Sequence, residues 1–269
     1  KNTASNISER APGQQISGKI GPDPLCNDSA TDSPLDYRAI LAIRMELIAD
    51  DFLPFDVTIR FSRDTVALPL FTGQIIEVSL AHGVQWDRTF ATQTNSNVMW
   101  LFSLAWIGRL LSTFQQRKDG GALQIAVTAL NSFLKYSSRP SNQTAIGRIY
   151  AGDHSASNRV RVLIKFIQVM RERPDVDYAL LEKVCACLKY WSDWLAVPAN
   201  YWAHNHGLMG SISLLHSAVQ FGTAPCASSY LNVATNRIIE LGRNSFDRDG
   251  LCNENTIGYH NFNLHCYRG

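Results

Sequence analysis

Residues 174–219 read PDVDYALLEKVCACLKYWSDWLAVPANYWAHNHGLMGSISLLHSAV, and this stretch decides the fold. After Pro174 and Asp175, residues Leu181, Val184, Leu188, Trp191 and Leu195 recur at steps of three and four, the spacing of one helix face. Pro198 ends that pattern, because proline lacks a backbone donor and its ring clashes with the preceding turn. A second helix begins near Asn205 and carries Leu208, Ile212, Leu215 and Val219 in phase. Helices joined by so short a break pack as antiparallel neighbours, so the stretch predicts a helical hairpin.

The same pattern extends outward in both directions. Upstream, Val98, Leu101, Phe102, Ala105 and Leu111 keep helical spacing, with Trp100 and Trp106 adding apolar bulk around the cylinder. Another helix is predicted from about Ala122 to Tyr136, stopping before Arg139-Pro140, and a further one after Ser157, with Val160, Leu163, Ile164, Ile167 and Met170 on one face. Downstream, Pro225 opens a helix with Leu231, Ala234, Ile238 and Leu241 in phase. Several of these helices are apolar on more than one face, as expected of helices packed between others. Repeated hairpins make an α/α toroid or a solenoid, and the lack of a fixed-period repeat favours the toroid.

The N-terminal part reads differently. Residues 1–34 are rich in Ser, Asn, Gly, Pro and Asp and read as a poorly ordered arm. Asp36 to Asp51 shows a helical pattern, and Val57-Thr58-Ile59 and Ile75–Val78 look strand-like between Pro and Gly.

Composition narrows the function classes. A chain of 269 residues with 45% hydrophobic and 18% charged residues builds an ordinary globular core. The net charge of +2, with Lys and Arg scattered, argues against a nucleic-acid partner. No apolar run is long enough for a membrane span. Cys185-Ala-Cys187 lies mid-helix without the usual zinc spacing and reads as buried thiols. Cys252 and Cys266 bracket Tyr259, and a disulfide clamping that loop is an open alternative to free thiols. Sequons begin at Asn6, Asn27 and Asn142, a short pattern that arises by chance.

Two polar clusters carry the candidate chemistry. The first is Trp202-Ala-His204-Asn205-His206-Gly207, opening a helix. Asn205 is either a plain N-cap or part of an anion site, since a helix N-terminus offers unpaired N–H groups and partial positive charge. The second is Glu254-Asn-Thr-Ile-Gly258-Tyr259-His260, after the turn at Asp249-Gly250. Tyr259 either packs or transfers protons. Gly258 lets the backbone approach a ligand, His260 can hydrogen-bond the phenol, and Glu254 either orients these groups or is exposed. At Ser157-Asn158-Arg159, predicted at a helix start, Arg159 either holds a carboxylate or is merely solvated. Trp86, Trp100 and Trp202 either stack on sugar rings or pack in the core, with core packing favoured for at least two of them. His154, His216 and His265 have no partner that sequence identifies.

In this order and spacing the motifs resemble those of the heparinase II/III-like polysaccharide lyases, which include alginate lyases. That family opens a helix with Asn-His-Gly, matched by Asn205-His206-Gly207. It carries Glu-x-Ser-Pro-Gly-Tyr-His after an Asp-Gly turn, matched by Glu254 to His260 with Ile257 in place of Pro. A Ser-x-Arg helix start corresponds to Ser157–Arg159, and His204 stands where the family often has another Asn. The resemblance covers roughly residues 84–269.

The resemblance implies a mainly α fold: an incomplete α/α toroid of antiparallel helical hairpins over residues 35–269, with a small irregular or β-containing N-terminal region. It implies β-elimination on an acidic, uronate-containing polysaccharide. Asn205, assisted by His206, would neutralise the carboxylate, and Tyr259 would transfer the proton, chiefly as the acid at O4, with His206 as the alternative base. Arg159, Trp202, His204, Glu254 and His260 would bind substrate. No metal or cofactor is expected in this chain, the family's zinc belonging to a C-terminal β-sandwich domain that this sequence lacks. On that reading the chain is a fragment of little activity, from a periplasmic or secreted enzyme. The rival readings are an α/α-toroid glycoside hydrolase using Glu254 with Asp249 or Asp153, and a non-catalytic glycan-binding protein.

Overall fold

The computed structural model describes residues 35–45, 59–69, 75–84, 86, 95–137, 152–245, 261 and 264. The arm at 1–34, the sequons, Cys252, Cys266, and the cluster Glu254–His260 lie outside the described residues.

The N-terminal part contributes helix α1 (Tyr37–Ala42) and a three-stranded antiparallel sheet. Asp36 caps α1 by accepting the Ala39 N–H, and the backbone is extended at Ile43, so the helix expected from Asp36 stops early. Strands β1 (Arg60–Phe61), β2 (Thr65–Pro69) and β3 (Ile75–Ser79) pair in chain order, with Val66 opposite Val78 and Leu68 opposite Ile76. Alternation places Val66, Leu68 and Val78 on the buried face. Beyond β3 a turn at Gly83, which takes a left-handed φ of +79°, leads to Val84. Its backbone N–H donates to Ser132 Oγ at 2.9 Å and fastens this region to a helix.

The remainder is helical: α2 (Asn95–Phe102), α3 (Ala105–Arg117), α4 (Gly120–Ser137), α5 (Asp153–Arg171), α6 (Tyr178–Ala196), α7 (Asn205–Phe221) and α8 (Pro225–Ser245). Short connections at 172–177 and 222–224 fold successive helices back on each other. Helix α5 packs against α3, α6 and α7, and α7 also packs against α8. The architecture is therefore mainly α, an incomplete toroid of helical hairpins beside a small sheet. Among the described residues no helix is long and apolar enough to cross a membrane.

The predicted faces hold for α5 and α6: Val160, Leu163, Ile164, Ile167, Leu181, Val184, Leu188, Trp191 and Leu195 are all buried. Three expectations need correction. The segment around Trp100 is two helices, because Leu104 adopts a left-handed φ of 60° between α2 and α3. Leu104 is fully buried, so its packing holds a backbone state that costs about 1–2 kcal/mol for an L-residue.

In α7 the buried face is not Ile212, Leu215 and Val219 but Ser211, Ser213, Leu214, Ser217, Ala218 and Phe221. The serines enter the core because each hydroxyl has a partner: Ser211 donates to Gly207 O, Ser213 to Ser157 O, and Ser192 to Ser217 Oγ. In α8 the buried stripe runs through Ala227, Tyr230, Ala234 and Leu241, leaving Leu231 exposed. Trp86 and Trp100 are core residues, Trp86 lying 5.5 Å from Phe102 and 5.4 Å from Phe133 between ring centroids. Cys185 and Cys187 are buried thiols, and burial pushes both up to about 12.

Candidate functional site

Two helix beginnings meet at the site. Helix α7 starts just after a 3-10 turn at Pro198–Asn200, which Asn200 Nδ2 ties to Trp194 O at 2.9 Å. Arg237 of α8 donates to the last carbonyls of α6, Leu195 O at 2.7 Å and Ala196 O at 3.0 Å. Its guanidinium lies 4.3 Å from the centre of the Tyr201 ring. The segment 201–204 then folds tightly onto α7, with the His204 N–H donating to Trp202 O at 2.9 Å. Gly207 is required there: a Cβ on it would sit 1.8 Å from Trp202 O and 2.8 Å from the Tyr201 ring.

The cap of α7 is His204 rather than Asn205. His204 Nδ1 accepts the His206 N–H at 3.1 Å, and Asn205 Oδ1 accepts the same N–H at 2.8 Å. Asn205 Oδ1 also lies 3.0 Å from His204 Nδ1. The Asn205 carboxamide is thus engaged through its oxygen.

Helix α5 supplies the other half. It begins at Asp153, four residues before the expected start, and this first turn is what the sequence reading missed. Asp153 accepts the His154 N–H at 2.7 Å, and its carboxylate lies 3.3 Å from His206 Nδ1. Burial works to raise the Asp153 pKa, but the hydrogen bond and charge of His206, with the His154 N–H and the charge of His204, bring it below the ordinary carboxylate value. Asp153 is therefore an ionised group that holds His206 by Nδ1–H, which puts the lone pair of the neutral ring on Nε2. His154 lies edge-on to His206, with centroids 5.6 Å apart, and Asn158 Nδ2 is 3.3 Å from its Nδ1. Burial, and next the charge of His206, lower the His154 pKa to about 4.

Of the residues expected at the site, Trp202, His204, Asn205 and His206 come together. Trp202 is exposed and stacks on His204 at 6.1 Å between ring centroids, and the His204 and His206 rings lie 4.9 Å apart. Tyr259, Glu254 and His260 fall outside the described residues. Arg159 is neither at a helix start nor solvated. It lies fully buried in the second turn of α5, its guanidinium 3.6 Å from the centre of the Trp191 ring and its Nε donating to Ser155 O. In that position it offers no surface to a glycan and serves the packing of α5 on α6. Asp153 and His154 are the members of the cluster that the sequence did not place. Gly152 beside Asp153, a helix-opening pair, was the available signal.

The chain matches no family model and no curated protein. Solved structures that resemble it include heparan sulfate lyase HepC from Pedobacter heparinus. Identity is 15%, the TM-score is 0.61, and the match covers 88% of this chain and 34% of the lyase. A mutant of that lyase matches at 15% identity and a TM-score of 0.59, covering 74% of this chain and 31% of the lyase. The chain thus spans about a third of the lyase it resembles, and the likeness is one of fold.

Proposed function

We propose that the chain is the helical part of a polysaccharide lyase that cleaves an acidic, uronate-containing glycan by β-elimination. The observation that carries this reading is the Asp153–His206 pair beside Asn205, at the meeting of two helix N-termini in a fold shared with a heparan sulfate lyase. A uronate C5 proton becomes removable when its carboxylate is neutralised, because charge then develops on a stabilised enolate-like group. The Asn205 carboxamide is the group assigned to that stabilisation.

His206, held through Nδ1 by Asp153, takes the C5 proton on Nε2 when that proton faces it. The C5–H electrons form the C4=C5 bond, the C4–O4 bond breaks, and Tyr259 gives its proton to the departing O4. When the C5 proton lies on the other face, Tyr259 as phenolate takes that proton and then gives it to the departing O4. Trp202 and His204 present a stacked aromatic edge for a neighbouring sugar. A periplasmic or secreted location belongs to the same reading, since the substrate is a large external polymer.

Asp153 bears on the hydrolase alternative. A general acid needs a carboxyl with a raised pKa, whereas Asp153 is lowered and paired with an imidazole.

Because the chain spans about a third of the lyase, binding is the primary readout. Uronate oligosaccharides are titrated into the chain and into Asn205→Ala and His206→Ala, and products are examined for the ultraviolet absorbance of a 4,5-unsaturated sugar. Weakening by about tenfold or more in each variant is expected, given about 1.5–3 kcal/mol for a hydrogen bond to a charged group. Equal affinity in wild type and both variants, or saturated products only, would overturn the reading.

A further inference from the structure

We propose that Asp153, His204 and His206 form a three-ligand site for a divalent transition metal of the zinc class. One ligand atom from each residue lies within 4.8 Å of the others. The Asp153 carboxylate oxygen and His206 Nδ1 are already 3.3 Å apart. Around a tetrahedral zinc with bonds of about 2.0–2.2 Å, neighbouring ligand atoms stand about 3.3–3.6 Å apart, so this pair already has the length of one edge. The third donor is the half-buried His204 ring, whose centroid lies 4.9 Å from that of His206 at an interplanar angle of 73°.

Two imidazoles and one carboxylate are donors that suit zinc, and three protein ligands leave a fourth position for water or an anionic substrate group. The donors are carried on fixed backbone. Asp153 is the first residue of α5, and Gly207 locks the turn that bears His204 and His206 against α7.

Two effects oppose the metal. The N-termini of α5 and α7 both carry partial positive charge, which the Asp153 carboxylate offsets. The proton now shared between Asp153 and His206 must also leave. Binding therefore forms two metal–nitrogen bonds and one metal–oxygen bond, and the His206 proton moves from Nδ1 to Nε2 by exchange with solvent, with no net release from a neutral imidazole. This inference departs from the expectation that the chain holds no metal, and it does not rest on the lyase reading. If both hold, metal occupies the His206 imidazole and blocks its use as a base.

The test is calorimetric titration of Zn2+ into the chelator-treated chain at neutral pH, with Co2+ as a spectroscopic probe. Expected are one ion per chain and visible Co2+ bands without thiolate charge transfer. Asp153→Asn and His204→Asn weaken binding by about 100-fold or more, since even residues behind the ligands are worth about 10–100-fold. Asparagine at 204 keeps a capping side chain, and thermal melts confirm that both variants fold. His216→Gln, away from the cluster, retains full affinity. Absence of stoichiometric binding, equal affinity in the two cluster variants, or thiolate-to-cobalt bands would overturn the proposal.

Discussion

Helix α7 is built in two ways along its length. From Gly210 to Phe221 it is pressed against α5 and α6 through small residues, with serine hydroxyls satisfied inside the contact. At its first turn the same helix leaves His206 with 40% of its side chain exposed, facing an Asp153 side chain that is only 17% exposed. The body gains stability from close approach. The first turn uses the resulting rigidity to hold polar groups in an arrangement that burial alone disfavours. Each half has a glycine, a histidine or an anchor whose replacement can test this contrast.

The largest effect is expected at Gly207. Alanine there would place a Cβ 1.8 Å from a backbone oxygen, which cannot be relieved by turning a side chain. The segment 201–204 would have to leave α7, at a cost of about 4 kcal/mol, among the larger effects of single substitutions. Chemical denaturation of Gly207→Ala measures this. A loss under about 1 kcal/mol would show that the first turn is not held by this contact, and the contrast between the halves would fail.

Acid should weaken both halves next, in the same pH range. His154 at the cluster and His216 in the body both have pKa values lowered from 6.5 to about 4, in each case first by burial. The second cause is the charge of His206 for His154 and of Arg161 for His216. A folded pKa below the unfolded one means that the unfolded chain takes up the proton first. The stabilisation is therefore complete above about pH 6.5 and is lost as pH falls towards about 4, by about 3 kcal/mol at most for each residue. Asp153, also lowered, adds a loss only below the ordinary carboxylate range. Urea titrations across this range should show the decline, and His154→Gln and His216→Gln should each flatten part of it. A wild-type profile that stays level from pH 7 to 4.5 would mean that both imidazoles find water or a partner when charged.

Arg237 is the external anchor of the first turn. Arg237→Met keeps much of the aliphatic stem over Tyr201 but removes the bonds to Leu195 O and Ala196 O. About 2 kcal/mol is expected from two charge-assisted contacts at a half-buried site. A thermal melt checks the stability. Glycan titration checks whether the cluster is disturbed with it.

The body and the first turn also differ in how far sequence reveals them. The faces of α5 and α6 are legible because leucine, isoleucine, valine and tryptophan mark them at helical spacing. The buried face of α7 is not, because Ser211, Ser213 and Ser217 score as polar until their hydrogen-bond partners are known. The break at Leu104 carries no Gly, Pro or Asn to announce it, since tertiary packing imposes that backbone.

At the site, Asn205 and His206 were marked by their place at a helix start. The pairing of His206 with Asp153 was not, because about fifty residues separate them in sequence and only the packing of α5 on α7 joins them. Arg159 misled for a related reason. A guanidinium reads as surface charge, yet its planar face stacks on Trp191 deep between helices.

The smallest effect is expected at Gly210, three residues into the body from Gly207. A Cβ there would lie 3.4 Å from Leu195 Cδ2 and 3.5 Å from Ser157 Oγ, the margin of ordinary van der Waals contact. Both neighbours are side-chain ends that can shift by a few tenths of an ångström. Alanine is favoured over glycine inside a helix by about 1 kcal/mol, so Gly210→Ala should be neutral or stabilising by up to that amount. Denaturation of Gly207→Ala and Gly210→Ala side by side is therefore the sharpest form of the comparison. The same methyl group, three positions apart on one helix, is expected to cost several kcal/mol at Gly207 and nothing at Gly210. A loss above about 2 kcal/mol at Gly210 would show that the serine-lined contact tolerates no added methyl group, and the body would then be as tightly specified as the first turn.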